Sequence, residues 1–247
     1  MSDSGAKDPS DDGHLRKIRD DAKKRMYKYV APKWAEDLRW KPRFKINLCQ
    51  KNTPISKWYL PQIPSDFEVY MKRDDFTGGA ISGHKIRRLE LNLAEALEKG
   101  CDTVIGCGPI TSNNCRTLAV CGKELGFAIH LCLHNAPLNQ RPPFNGNHYL
   151  DTLVGAHFHL SPDDTITNSI KEQKELYHQL SIDGHSPYIV GIDEPGDVGL
   201  FGYIDCFEEL IKQGVTEDFT DLVLTCSTGL TSAAFIIGNH RNGRKIR

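Results

Sequence analysis

From about residue 66 onward, apolar residues fall in short runs at 67–73 (FEVYMKR), 102–107 (DTVIGC), 128–134 (AIHLCLH), 157–161 (HFHLS), 187–192 (PYIVGI) and 221–226 (DLVLTC). Runs of this length, rich in Val, Ile and aromatic residues, predict strands. Between them the apolar spacing changes to three and four. That pattern predicts helices over 86–99, 113–125, 146–155, 167–181 and 201–214, and a last helix opening at 231. Gly100 and Gly126 end the first two. Strand and helix thus alternate, which predicts an α/β fold with a mostly parallel open sheet and helices on both faces. In such sheets ligands bind at the carboxyl ends of strands, in the loops that open helices.

Residues 1 to about 25 mix Asp, Lys and Arg with few apolar residues. We expect residues 1–40 to form a disordered or loosely ordered extension. The full length of 247 residues suits one or two domains with a real core. A net charge of −1 gives no support to nucleic acid or a membrane surface as partner. No apolar run approaches a membrane span. Eight cysteines lie in apolar segments without a C-x-x-C, and read as reduced thiols of a cytoplasmic protein. His130 and His134 share one strand face, as do His157 and His159. No third ligand is spaced to complete a metal site, so no metal is expected.

Three loops carry candidate chemistry. "GCGPITSNNCR" (106–116) leaves a strand and opens a helix. Its Gly-x-Gly begins like a dinucleotide fingerprint, but Thr111 occupies the third glycine position. The next strand ends at His134 rather than at a ribose-binding acid, which argues against NAD or FAD. Four polar residues remain, Thr111, Ser112, Asn113 and Asn114, which is more than one helix cap needs. "CSTGLTSA" (226–233) also joins a strand to a helix. Its small and hydroxyl residues can wrap a single phosphate at the positive helix end. The third candidate is Lys85, set at the start of a helix beside Arg87 and Arg88. A helix N-terminus and neighbouring arginines disfavour a charged amine, and a lysine that loses its proton is a nucleophile towards carbonyls. Lysine, phosphate cup and polar loop together suit pyridoxal 5'-phosphate.

The stretches "VYMKRDDFTGGAISGHKIRRLE", "GPITSNNCRTLA", "LVGAHFHL" and "CSTGLTSAA" resemble, in order and spacing, the D-cysteine desulfhydrase and 1-aminocyclopropane-1-carboxylate (ACC) deaminase family. These are pyridoxal phosphate enzymes of the tryptophan synthase β-like type, and the resemblance runs from about Asn47 to the C-terminus. It implies a two-domain fold, with 41–86 and 192–247 in a large cofactor domain and 87–191 in a small one. It implies a homodimer and a small amino-acid substrate. Motif by motif, it puts Lys85 at the covalent attachment point of the cofactor and Arg88 near the phosphate. Ser112 falls on the active-site serine. Asn113 falls on the cofactor-ring contact, which also faces the substrate, and Asn114 on a substrate-carboxylate position. Thr228, Gly229 and Thr231 fall on the phosphate loop.

Departures from the family pattern are His84 for an asparagine, Pro109 for a glycine, Thr111 and Asn114 in the serine loop, and Leu230 for a glycine. If position 230 has positive φ, leucine there costs roughly 1–2 kcal/mol. The family pattern continues beyond the last helix, so the C-terminal part of the large domain is expected to be missing. The resemblance implies β-elimination of D-cysteine to pyruvate, ammonia and hydrogen sulfide. The alternatives are ACC ring opening, or a catalytically inactive binding or regulatory protein on the same fold.

Overall fold

The computed structural model describes residues 9–135, 144–161, 165–191 and 197–247. The chain opens with helix α1 (Pro9–Lys24), followed by the short strands β1 (Tyr27–Lys28) and β2 (Phe44–Lys45), which pair antiparallel. A second antiparallel pair follows, β3 (Ile55–Lys57) and β4 (Tyr70–Lys72). Next come α2 (Lys85–Glu98), β5 (Thr103–Pro109), α3 (Asn113–Glu124), β6 (Ala128–His134), α4 (Gly146–Leu153), β7 (His157–Leu160), α5 (Ile166–Ile182) and β8 (Pro187–Ile189). The chain closes with α6 (Leu200–Lys212), the single turn α7 (Val215–Asp218) and α8 (Leu230–Arg241).

β5 to β8 form one parallel sheet in the order β7-β6-β5-β8, with Cys107 opposite Cys132 and Val104 opposite Tyr188. Strand alternation sorts its two faces. Val104, Ile129, Leu131 and Leu133 pack with α2 and α3 residues such as Leu93 and Leu118. Ile105, Cys107 and Cys132 meet Ile170, Leu176 and Leu180 of α5 on the other face. Gly106 is required where α3 crosses the sheet, because a Cβ there would lie 2.6 Å from Leu118 Cδ2. α6 packs against α2 and α8 through Phe201, Tyr203, Ile204, Leu91 and Ala234. The approach is backbone to backbone at Gly202, where a Cβ would strike the Arg87 carbonyl and lie 2.7 Å from Arg88 N.

Two expectations are corrected. Residues 9–40 are ordered rather than a loose extension; residues 1–8 lie outside the described residues. Leu15, Ile18 and Ala22 recur at helical spacing and turn one face of α1 onto the α3–β6 turn. There Arg19 donates to Gly126 O at 2.5 Å. Tyr29 then donates to Asp205 of α6 at 2.7 Å, and Trp34 to Glu208 at 2.8 Å. The second correction is "DLVLTC". It takes no regular secondary structure, and no strand among the described residues pairs with it. Leu222 N donates to Arg247 O at 2.8 Å and Val223 is 96% exposed. An apolar run becomes a strand only where a neighbour accepts its backbone hydrogen bonds. Ile192, at the end of a predicted strand and at the predicted domain boundary, lies outside the described residues. Among those described, no helix is long and apolar enough to cross a membrane.

Candidate active site

The carboxyl end of β5 opens into a cavity of about 370 Å³. Its walls are the first turn of α2, the loop between β5 and α3, and the turn that opens α8. Lys85, Arg88, Ser112, Asn113, Asn114, Thr228, Gly229 and Thr231 all line it, although they come from three separate stretches of chain.

Lys85 is the first residue of α2. The preceding turn is closed by the buried Thr77, whose Oγ1 accepts from Gly83 N at 3.0 Å, with Gly83 at φ 110°. Burial lowers the Lys85 pKa, and the charge of Arg88 lowers it further. Arg87 takes no part because it points elsewhere. It forms two hydrogen bonds of 2.8 Å to Asp74 and bonds of 3.0 and 3.3 Å to Glu209. Arg88 lines the cavity, but its Nη2 is committed to Asp197 and Gly191 O at 2.7 and 2.8 Å. Its charge is therefore already balanced by a carboxylate, a fact the residue type alone does not reveal. His84 also faces the cavity, and its pKa is brought down to about 4 by the surrounding protein and by Lys85.

Ser112 caps α3, its Oγ accepting from Cys115 N at 3.1 Å. The same hydroxyl also lies against the Cys115 thiol. Gly108 makes the room, since a Cβ there would sit 2.8 Å from Ser112 Oγ. Asn113 Oδ1 accepts from Asn147 Nδ2 at 2.9 Å, and the same amide donates to Thr111 O at 2.7 Å. Asn147 of α4 thus braces the loop. Nothing in its local sequence marks it for that task. Asn114 Oδ1 is buried without a hydrogen-bond partner.

Gly229 holds φ 90° as the residue before α8, and the helix has no side-chain cap. Its first N–H groups are thus left for an anion, with Thr228 and Thr231 beside them. Leu230 is not strained. The positive φ falls on Gly229, while Leu230 starts the helix and packs with Tyr203 and Ala234. Tyr203 was not foreseen from sequence. Its hydroxyl is buried at the cavity wall, against the Thr231 side chain and near Arg88. Cys107 and Cys226 also line the cavity, Cys226 being exposed. The three strand histidines form a separate group. His130 and His159 share a hydrogen bond of 3.0 Å and His157 stacks on His130. Among the described residues no group of three or more side chains is placed to hold a metal ion.

A half-buried amine whose pKa is lowered, an uncapped hydroxyl-lined helix start and an orphaned amide oxygen on Asn114 fit a phosphorylated aldehyde cofactor in both chemistry and size. The sequence model for the family described as "Pyridoxal-phosphate dependent enzyme" matches residues 46–247. The chain belongs to this family. Within the pyridoxal-phosphate dependent enzymes it is similar to the mitochondrial bifunctional D-cysteine desulfhydrase/1-aminocyclopropane-1-carboxylate deaminase of Arabidopsis thaliana. The identity is 36% over 233 residues, covering 89% of this chain and 57% of the relative. It is 31% identical over 201 residues to the D-cysteine desulfhydrase of Klebsiella pneumoniae (strain 342), covering 78% of this chain and 60% of that one. A solved ACC deaminase homologue superposes with a TM-score of 0.74 at 31% identity, over 88% of this chain and 65% of its own. The fold is that of the tryptophan synthase β-like members. The chain spans 57% and 60% of the length of the two curated relatives named.

Proposed function

We propose that this chain carries the active site of a lyase that acts on a small amino acid, and that the reaction is β-elimination of D-cysteine. The observation that carries the reading is the meeting, in one cavity, of Lys85 with a lowered pKa, the Ser112 hydroxyl at the start of α3, and an uncapped helix start at Gly229. Lys85 would be the attachment point for pyridoxal phosphate, and Thr228, Gly229 and Thr231 would hold its phosphate. Arg88 sets the local charge from behind its ion pair with Asp197. Asn113, oriented by Asn147, would contact the cofactor ring. When bound, the cofactor supplies an electron sink for a carbanion. Lys85 Nζ would be the base that takes the α-proton of a bound substrate. Ser112 Oγ–H and the Asn114 amide hold the substrate carboxylate. The thiol leaves as hydrogen sulfide, and hydrolysis of the remaining fragment gives pyruvate and ammonia.

ACC ring opening is the second reading. It is supported by the Arabidopsis relative, whose name joins both activities. The four-stranded sheet lies wholly within 103–189, which supports the small domain read at 87–191. Eight free thiols support a reducing, cytoplasmic setting. The homodimer rests on the family resemblance, and size-exclusion chromatography with light scattering checks it.

The test is a visible spectrum of the purified chain with pyridoxal phosphate, then borohydride reduction, peptide mapping, and assays of sulfide and ketoacid release. The expected result is a band trapped on Lys85 and sulfide release abolished in Lys85→Ala. No trapped band on a folded chain, or native sulfide release by Lys85→Ala, refutes the proposal.

A further inference from the structure

The two walls that carry Lys85 and Ser112 are joined by a side chain that belongs to neither motif. Arg116 lies one turn into α3 from Ser112, and its own N–H donates to Ser112 O at 3.2 Å. Its guanidinium crosses to the turn before Lys85. There Nη1 donates to Ala80 O at 2.5 Å and Nη2 to Ser82 O at 3.0 Å. The side chain is 8% exposed and its Nε is buried without a partner. Behind it, on α4, stands Asp151, 0% exposed, with both carboxylate oxygens unpartnered. A buried carboxylate with no hydrogen bond is costly, and such a group persists where it serves a purpose other than stability. Its charged neighbour is Arg116, and Cys115 of the same helix also feels its charge. His148, one turn earlier on α4, is buried with Nδ1 unpartnered.

We propose that Arg116, with the buried carboxyl of Asp151 behind it, is a latch that fixes the distance between Lys85 and the Ser112 wall by gripping the Gly79–Gly83 turn. It is a positioning residue. The planar fork is what spans two carbonyls two residues apart, and a lysine ammonium does not reproduce it. The inference rests on the proposed role of Lys85, and its test separates the two.

The experiment uses the full chain with pyridoxal phosphate and the variants Arg116→Lys, Arg116→Gln and Asp151→Asn. Circular dichroism first shows which of them are folded. Hydrogen exchange then reads the amides of Ser82, which donates to Gly79 O, and Gly83, which donates to Asp74 O. The rate of cofactor attachment to Lys85 is followed in parallel by the visible band. The latch requires exchange at these amides about tenfold faster or more in Arg116→Lys and Arg116→Gln, since charge-assisted bonds are lost. The amides of α3 stay unchanged. Attachment slows by about tenfold to a hundredfold. Asp151→Asn moves both readouts the same way by less. Rescue by Arg116→Lys, or a folded variant with turn exchange unchanged, overturns the latch. If Arg116→Gln does not fold, the other two variants decide. If wild type attaches no cofactor at Lys85, the functional reading fails and the exchange readout alone decides the latch.

Discussion

Gly202→Ala adds a single methyl group where α6 meets α2. The new Cβ would land on the carbonyl of Arg87 and 2.7 Å from Arg88 N, against backbone on every side. No side chain can swing away to admit it, so the helices must part. Over-packing of this kind costs about 1–3 kcal/mol, occasionally more. Alanine recovers up to about 1 kcal/mol of helix propensity. We expect a net loss of about 1–2 kcal/mol, read as a lower urea midpoint with an unchanged slope. The displaced residues are two and three positions after Lys85. A misplacement of about 1 Å at a reacting group can cost about a hundredfold in rate. Cofactor attachment to Lys85 in the folded variant should therefore slow far more than stability alone explains. A Gly202→Ala protein at least as stable as wild type, with the same attachment rate, would refute the packing argument.

Asp151→Asn should stabilise the protein at high pH. Burial raises the Asp151 pKa from 3.8 to about 7, so folding favours its neutral form and stability declines as pH rises between those values. The gain from the amide is at most about 4 kcal/mol above pH 7 and vanishes below about pH 4, as thermal melts at pH 4 and pH 8 will show. Glu209 behaves in the opposite sense. Arg87 and Lys72 outweigh burial and hold it at about 2, so its contribution is full above 4.5 and fades as pH falls towards 2. Glu209→Gln leaves Lys72 without its carboxylate and Arg87 with Asp74 alone, should cost about 3–5 kcal/mol at neutral pH, and should flatten the acid limb of a pH–stability curve. Gly229→Ala, at φ 90°, should cost about 1–2 kcal/mol and weaken pyridoxal phosphate binding roughly tenfold by fluorescence titration. Leu230→Gly should leave that affinity unchanged.

The alternation of strand and helix was readable because period and length carry it, and the sheet from Thr103 to Ile189 follows that pattern. The eight candidate residues were readable as motifs, and all of them face one cavity. Less accessible was anything decided by partners distant in sequence. Arg88 meets Asp197 and Arg116 meets Ala80 and Ser82. No local pattern announces such pairs. One signal was there to be used. Lys85 and Arg88 are three apart and share a helix face, whereas Arg87 is turned away by about 100°. The spacing of Leu15, Ile18 and Ala22 was likewise a helical stripe set among charges. "DLVLTC" failed for the converse reason, since its apolar run says nothing about whether a neighbouring strand is present.

The exposed thiol of Cys226 gives the cavity its own reporter. Of the eight cysteines, six are buried and Cys49 is half-buried, with its thiol pushed up to about 12 by burial and by Glu90. A thiol-reactive dye at neutral pH should therefore favour position 226, at the rim of the turn proposed to hold the phosphate. Filling of the cleft would be registered as a change in the rate of that one reaction. Occupancy could then be followed in wild type and variants without substrate, turnover or added tag.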